Sequence, residues 1–393
     1  MTIATPDLHL CIATGQNLAN LIPALQCGAR EVWVLQTPPM RASAAHLSDA
    51  LKAHDIAVQR IDFADDDVTT LHAQAEAVAE RLDGRAVTIN LTGGTKLMTL
   101  ALTDTLAAHL ATGDAAAQPH LVHTDTRHRR LDWLRPAPRS EPMADVLRIN
   151  DILLTQGYRQ LDGSGGAEAA ALQRVAEERK MLTRYLGDEA KEIGAAFGHL
   201  NWVAQQALNN GRLFQREQDI DFPADRRDAD RLQQVLRRIA DAGGLLRWDG
   251  QRRIVFDSQG AAKYVCGGWV EEYAASKIKG FTTPDRRATQ LEIESVEGHT
   301  HNELDAVMVY GNCMLVIECK AAKMHSGEKL ADQIYKLNQL ARNVGGQMAQ
   351  PLLLSARSIG DADRQRAKEY GVDILAAGEL STLPDYLRRW MAE

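Results

Sequence analysis

The chain has 393 residues, 45% of them hydrophobic and 25% charged, with a formal net charge of -7. Its length exceeds what one core serves, so two domains with a smaller one between them are expected, and the composition excludes a fibrous or largely disordered chain. No apolar stretch approaches the roughly 20 residues of a membrane helix, which points to a cytoplasmic protein with no membrane partner; the acidic total is not that of a typical nucleic-acid binder, but charge distribution outweighs the sum.

Up to about residue 135, short apolar runs alternate with helical patterns, which predicts repeated βα units on a parallel sheet. The strands are LHLCIA (8–13), EVWVLQ (31–36), IAVQRI (56–61), AVTINL (86–91) and HLVHTD (120–125). RRLDWL (129–134) follows closely enough for a hairpin, giving an antiparallel edge, and Pro136, Pro138 and Pro142 then close the domain. AVTINL runs through Thr92, Gly93, Gly94, Thr95 and Lys96 into a helix, and LHLCIA ends in Thr14, Gly15, Gln16 and Asn17 before another. A Gly-rich turn at a helix N-terminus lets backbone N–H groups approach a phosphate, and both loops belong at the carboxyl edge of the sheet. The spacing fits neither a Walker A loop nor GxGxxG, so ATP hydrolysis and dinucleotide redox chemistry are not supported.

Gly163–Gly166 looks like a hinge or exposed loop, and a mainly helical stretch follows to about residue 260. It ends as helix, strand, Asp249-Gly250 turn, strand, the outline of a winged-helix module. Arg226, Arg227, Arg231, Arg237, Arg238, Arg252 and Arg253 crowd this segment; each reads more simply as solvated surface than as a phosphate contact. Cys11, Cys27, Cys266, Cys313 and Cys319 form no CxxC pair and are odd in number, against a zinc site or a disulfide framework.

From about residue 262 the pattern is helix, three strands, helix, strand, helix, strand: a small mixed α/β domain. Its sharpest feature is NELDAVMVYGNCMLVIECK, 302–320. Gly311-Asn312, with Gly first, suits a type II′ hairpin, which sets Tyr310 against Cys313 and brings Asp305 opposite Glu318 and Glu303 opposite Lys320. Strand alternation then points these four to one face, and Cys319 and Leu304 to the other. Facing carboxylates repel. Mg2+ or Mn2+ would relieve the conflict by binding both, together with the Cys319 backbone carbonyl and a scissile phosphate, while Lys320 positions or polarises the attacking water. In the next helix Lys336, one turn after Gln333, could touch that phosphate or be an ordinary exposed lysine. His299 and His301 read as structural, with no further ligands suitably spaced.

The helix GGWVEEY, then ELD, then ECK resembles the PD-(D/E)XK nuclease superfamily, and most of all the nuclease domain of CRISPR ancillary effectors of the Card/Can type. The superfamily's Pro before the aspartate is absent, Leu304 standing there. The resemblance implies that Asp305 and Glu318 hold the metal, that Lys320 is the catalytic base or water positioner, and that Glu271, rather than Glu272, supports the metal through water. TGQN and NLTGGTKLM together resemble the CARF domain, the CRISPR-associated Rossmann fold. Family members bind cyclic oligoadenylates across a two-fold axis, so this likeness implies a homodimer clasping one ring, cyclic tetra-adenylate, with Thr14, Gly15, Gln16, Asn17, Thr92, Gly93, Gly94, Thr95 and Lys96 at the ligand.

The reading is therefore an α/β protein: a Rossmann-like CARF domain (1–143), a helical segment with a winged-helix-like part (144–260) and a PD-(D/E)XK nuclease domain (261–393). Cyclic oligoadenylate would activate metal-dependent cleavage of RNA and/or DNA in type III CRISPR defence. The rivals are a DNA-binding regulator with an inert nuclease fold and a restriction or repair nuclease that needs no messenger.

Overall fold

Runs such as Leu8–Ile12 (β1) and Glu31–Gln36 (β2) are apolar almost throughout, and all of β1 is buried. That is the signature of a strand covered on both faces, as in the middle of a parallel sheet. In the computed structural model, which describes residues 5–64, 67–111, 118–161, 174–208, 213–321 and 328–392, these strands lie at the centre of a seven-stranded sheet. Its other strands are Ala57–Asp62 (β3), Val87–Asn90 (β4), His120–Asp125 (β5), Arg130–Arg135 (β6) and Arg139–Pro142 (β7), in the order β3-β2-β1-β4-β5-β6-β7. The first five are parallel, and β6 and β7 add an antiparallel edge. Each expected strand forms within two residues of its predicted limits, and the hairpin edge is present. Within the proline-rich stretch the chain turns at Pro136 and Pro138, and β7, a strand not expected there, pairs back along β6 as far as Pro142. The Gly163–Gly166 expectation lies outside the described residues.

This sheet belongs to the first of two compact units, Met1–Arg159 with Ser295–Thr300 and Val344–Gln347; the second takes Gln160–Glu294, His301–Asn343 and Met348–Glu393. One face of the first sheet packs Leu8, Leu10, Ile12, Leu35 and Ile89 against the helices Val68–Leu82 and Lys96–Ala111, through Leu71, Val78, Met98 and Leu102. Asp67 starts the former helix by accepting the backbone N–H groups of Thr69 and Thr70, and Asp83, in the left-handed region, ends it.

The second unit holds a three-stranded sheet, Leu246–Trp248 (β10), Arg253–Phe256 (β11) and Glu217–Asp219 (β9), in the order β10-β11-β9. Beside it runs the helix Arg226–Asp241, burying Leu232, Val235, Leu236 and Ile239 at helical spacing. Helix followed by antiparallel hairpin is the winged-helix outline expected. A larger sheet carries Arg287–Ser295 (β12), His301–Tyr310 (β13), Cys313–Lys320 (β14), Ala349–Ser355 (β15) and Asp373–Ala376 (β16). Tyr158–Gln160 (β8) is a short strand earlier in the chain. Strands β12 to β14 are antiparallel, whereas β15 and β16 continue in parallel after the crossover helix Glu328–Gly345. Among the described residues no helix is long and apolar enough to cross a membrane.

The core of this unit gathers the helices Lys180–Asp188, Ala190–Leu208 and Trp269–Ile278 on the sheet residues Ala306, Met308, Leu315 and Ile317. At Gly187 the first of these helices meets the ring of buried Tyr273 so closely that an added Cβ would overlap it. Tyr273 cannot move aside freely, since its hydroxyl donates to Asp188 and to the Leu380 carbonyl. Gly187→Ala should therefore lower stability by about 1–3 kcal/mol, the cost of overpacking a filled core. A denaturant midpoint equal to that of the parent protein would contradict this.

Candidate active site and ligand loops

The hairpin β13–β14 has the expected register, with Tyr310 facing Cys313 and Ala306 facing Ile317. The turn differs from expectation: Gly311 (φ 57°) and Asn312 (φ 64°) are both left-handed, which is type I′ and not II′. Both are two-residue loops, so the pairing survives the change. Beyond Ala306, Asp305 uses its side chain where the ladder would continue, Oδ2 accepting the Cys319 N–H at 2.7 Å. Leu304 and Cys319 are buried on the opposite face, as alternation requires.

Burial first, and then repulsion from Glu318, push the Asp305 carboxyl up to about 7 from an ordinary 3.8. Glu271 also rises, chiefly through burial, with Glu303 and Glu318 adding to it and Lys320 opposing. For Lys320 burial alone would favour the neutral amine, but Glu318 and Asp305 outweigh it and hold the ammonium. The ladder ends at Ala306 and Ile317, short of the expected Glu303–Lys320 pairing: Glu303 faces Glu292 of β12, and Lys320 pairs with Glu318. Asp305, Glu318, Lys320 and Glu271 thus come together, carrying more carboxylate than the one ammonium can balance. No set of three His, Cys, Asp or Glu groups converges as a complete metal cage among the described residues. Two hard carboxylates with an excess of negative charge, flanked by a backbone strand, are nevertheless a fit for a divalent cation that keeps part of its water.

Glu272 goes elsewhere. It pairs with Arg179, whose guanidinium also lies over the Tyr264 ring at 4.0 Å, and it accepts from Thr183 at 3.4 Å. Of the two glutamates, Glu271 is the one on which the charges of Glu303, Glu318 and Lys320 act. Lys336 is exposed on its helix, and His301 lies 3.5 Å from Glu294. One participant escaped the sequence reading: Gln290 of β12 donates its amide to Glu271 Oε2 at 3.0 Å. It has φ 49°, a conformation that costs a non-glycine residue about 1 kcal/mol. Nothing in the string RATQLEIES announces it. Of the middle-segment arginines, Arg231 pairs with Glu192, Arg252 with Asp221 and Arg253 with Glu217, while Arg238 covers the Tyr185 ring at 4.0 Å.

In the first unit the TGQN and TGGTK loops follow β1 and β4, neighbouring strands from which the chain winds in opposite directions. That is the switch point where open α/β sheets bind ligands. Backbone crowding brings the loops together: a Cβ on Gly93 would overlap the Ile12 carbonyl oxygen, and one on Gly94 (φ 80°) would lie 2.7 Å from Ile12 Cδ1. Asn17 is 1% exposed. Its Oδ1 accepts the Thr14 N–H, and its Nδ2 donates to the Ser43 carbonyl and hydroxyl. Asn20 bonds Asn17 and the Ile12 carbonyl; Asn90 bonds Asn20 and the Ala19 carbonyl. Thr92 donates to Asn90, and its own hydroxyl accepts the Thr124 N–H. Gly15, Gln16, Gly94, Thr95 and Lys96 remain exposed above this network. Gln16 Oε1 accepts the Gln347 N–H at 3.2 Å.

Residues 258–393 match the family described as Card1-like, endonuclease domain, and residues 8–112 match the Card1 CARF domain. No curated protein matches the chain. A crystal structure of the protein VC1899 from Vibrio cholerae is similar at a TM-score of 0.81 and 20% identity over 98% of each chain. A structure of Can2 from Sulfobacillus thermosulfidooxidans in complex with cyclic tetra-adenylate reaches 0.76 at 20% identity, again over 98% of each. At such identity the likeness speaks for the fold. The two domain matches make this chain a CARF domain joined to an endonuclease domain. It belongs to the CRISPR nucleases of the Card/Can type.

The raised Asp305 carboxyl has a consequence for stability without metal. Its folded value lies above its unfolded one, so the penalty for ionising it is absent below about pH 4, grows between pH 4 and 7 and is complete above. Asp305→Asn keeps an oxygen to accept the Cys319 N–H. The variant should unfold later than the parent in chelator at pH 8, by on the order of 1 kcal/mol after allowance for partial exposure, and no later at pH 4. Denaturant curves at the two pH values with equal offsets would count against the assignment.

Proposed function

We propose that this chain is a metal-dependent endonuclease, activated by a cyclic oligoadenylate, that cleaves RNA and/or DNA phosphodiester bonds in the cytoplasm as part of type III CRISPR defence. The observation that carries the reading is the half-buried Asp305 and Glu318 pair with the Lys320 ammonium beside it, inside an endonuclease domain. Mg2+ or Mn2+, held by the Asp305 and Glu318 carboxylates and the Cys319 carbonyl, would supply Lewis-acid activation of the phosphate and of a water. The chain's own groups do the remainder. Lys320, protonated in this setting, stabilises charge developing on the phosphoryl oxygens and orients the attacking water. Glu271, one step removed, accepts hydrogen bonds from water at the centre. Lys336 meets the substrate backbone.

The activator is best assigned as cyclic tetra-adenylate, the ring held by the structurally similar Can2. Exposed Gly15, Gln16, Gly94, Thr95 and Lys96 would contact it, with backbone N–H groups and the helix Lys96–Ala111 facing phosphate. Asn17, Thr92 and Gly93 would shape the loops from beneath. A symmetric ring suits a homodimer, and Leu97 and Leu100 at the start of that helix, 53% and 57% exposed, offer apolar surface for a second copy.

Purified protein incubated with Mn2+, labelled RNA, single-stranded DNA and duplex DNA, and each cyclic oligoadenylate should cut only when the activator is present. Asp305→Asn should lower cleavage at least a hundredfold. Lys96→Ala should remove activation while leaving Mn2+ binding unchanged. Full cutting without activator would favour an ungated nuclease; no cutting under any combination would favour a regulator.

A further inference from the structure

The ladder between β12 and β13 steps from Thr289 facing Ala306 straight to Leu291 facing Leu304, passing over Gln290 and Asp305. The interruption therefore falls across from the carboxylate at the middle of the proposed metal centre. At that same point the backbone of Gln290 leaves the extended region for φ 49°. Such a turn in mid-strand, at a residue with a Cβ, persists only where its surroundings hold it, and strain of this kind gathers at functional sites. The side chain is exposed, so burial does not hold it there. Among the described residues its side chain makes one hydrogen bond, Nε2 to Glu271 Oε2 at 3.0 Å. Glu271 is close enough to Glu303, Glu318 and Lys320 for their charges to act on its carboxyl, the two glutamates against its ionisation and the lysine for it.

We propose that Gln290 is a positioning residue that holds the Glu271 carboxylate at the divalent-cation site through its amide. A carboxamide suits the task. It donates to a carboxylate, carries no charge to compete with the cation, and cannot be deprotonated away. The Arg179 pair on Glu272 complements it, because fixing the neighbouring glutamate sets the rotation of the helix Trp269–Ile278 that presents Glu271. The inference rests on the metal-centre reading above, and its test separates the two.

Groups that orient a metal centre from one step away change metal affinity or activity about 10–100-fold when removed. Full-length Gln290→Met, nearly isosteric but without a donor, and Gln290→Gly, which relaxes the left-handed backbone, should each need about tenfold more Mn2+ for half-saturation, measured calorimetrically without nucleic acid. At saturating Mn2+ both should keep the parental KM for substrate. In Glu271→Gln the further change Gln290→Met should add nothing, since two residues acting through one bond do not lose affinity additively. If Gln290 served the turn alone, Gln290→Gly would bind Mn2+ as the parent does, and that result overturns the proposal. So would losses that add in the double variant. Asp305→Asn distinguishes the levels: parental affinity in the Gln290 variants with none in Asp305→Asn sinks the Gln290 role alone, whereas no Mn2+ binding by the parent protein sinks both.

Discussion

Two carboxylates that repel each other, held half-buried on neighbouring strands, are the constraint around which the second unit is built. Neither can leave. Asp305 is fastened by the Cys319 N–H and Glu318 by Lys320, while both strands are anchored by apolar residues on the reverse face. Burial strips solvent from the Asp305 carboxyl and, with the Glu318 charge adding to it, raises its pKa to about 7. Asp305, Glu271 and Glu318 thus stand together against the single Lys320 ammonium, an arrangement that suits the divalent cation proposed for it.

The first unit handles polar groups in the opposite way. Asn17, Asn20, Asn90, Thr92 and Thr124 satisfy one another and the surrounding backbone beneath the two loops. A network with its members paired is stiff, and it supports the exposed glycines and Lys96 at a fixed height. Buried polarity here is spent on shape, whereas in the second unit it is kept in reserve for chemistry. A ligand can shift the protein only by the difference in its affinity for two arrangements, so a stiff cradle suits a sensor that must distinguish them.

Much of this was legible in the sequence because the signals were periodic or local. Continuous apolar runs gave the parallel strands, the Gly311-Asn312 turn gave the hairpin register, and alternation then placed Asp305 and Glu318 together. The Card/Can likeness lay in short motifs, TGQN, NLTGGTKLM, ELD and ECK. What escaped lacks a local signature. Strand β7 forms through a turn containing Pro136 and Pro138, residues that read as an ending. The Glu271 and Glu272 choice depends on Arg179, 93 positions from Glu272. Asn17 looked like a ligand contact because its loop does, yet its amide turns inward to Ser43, a partner 26 residues on. Gln290 owes its place to a backbone twist that glutamine neither favours nor advertises.

The peptide passes between the two compact units at 159/160, 294/295, 300/301, 343/344 and 347/348. Here a break at any point between Arg159 and Val344 leaves the first unit without a piece of its own fold, since Val344–Gln347 and, for breaks before Ser295, Ser295–Thr300 are supplied from downstream. Gln347, whose N–H meets the Gln16 side chain, would be among the losses. Such interlacing means that neither unit corresponds to one uninterrupted stretch of sequence.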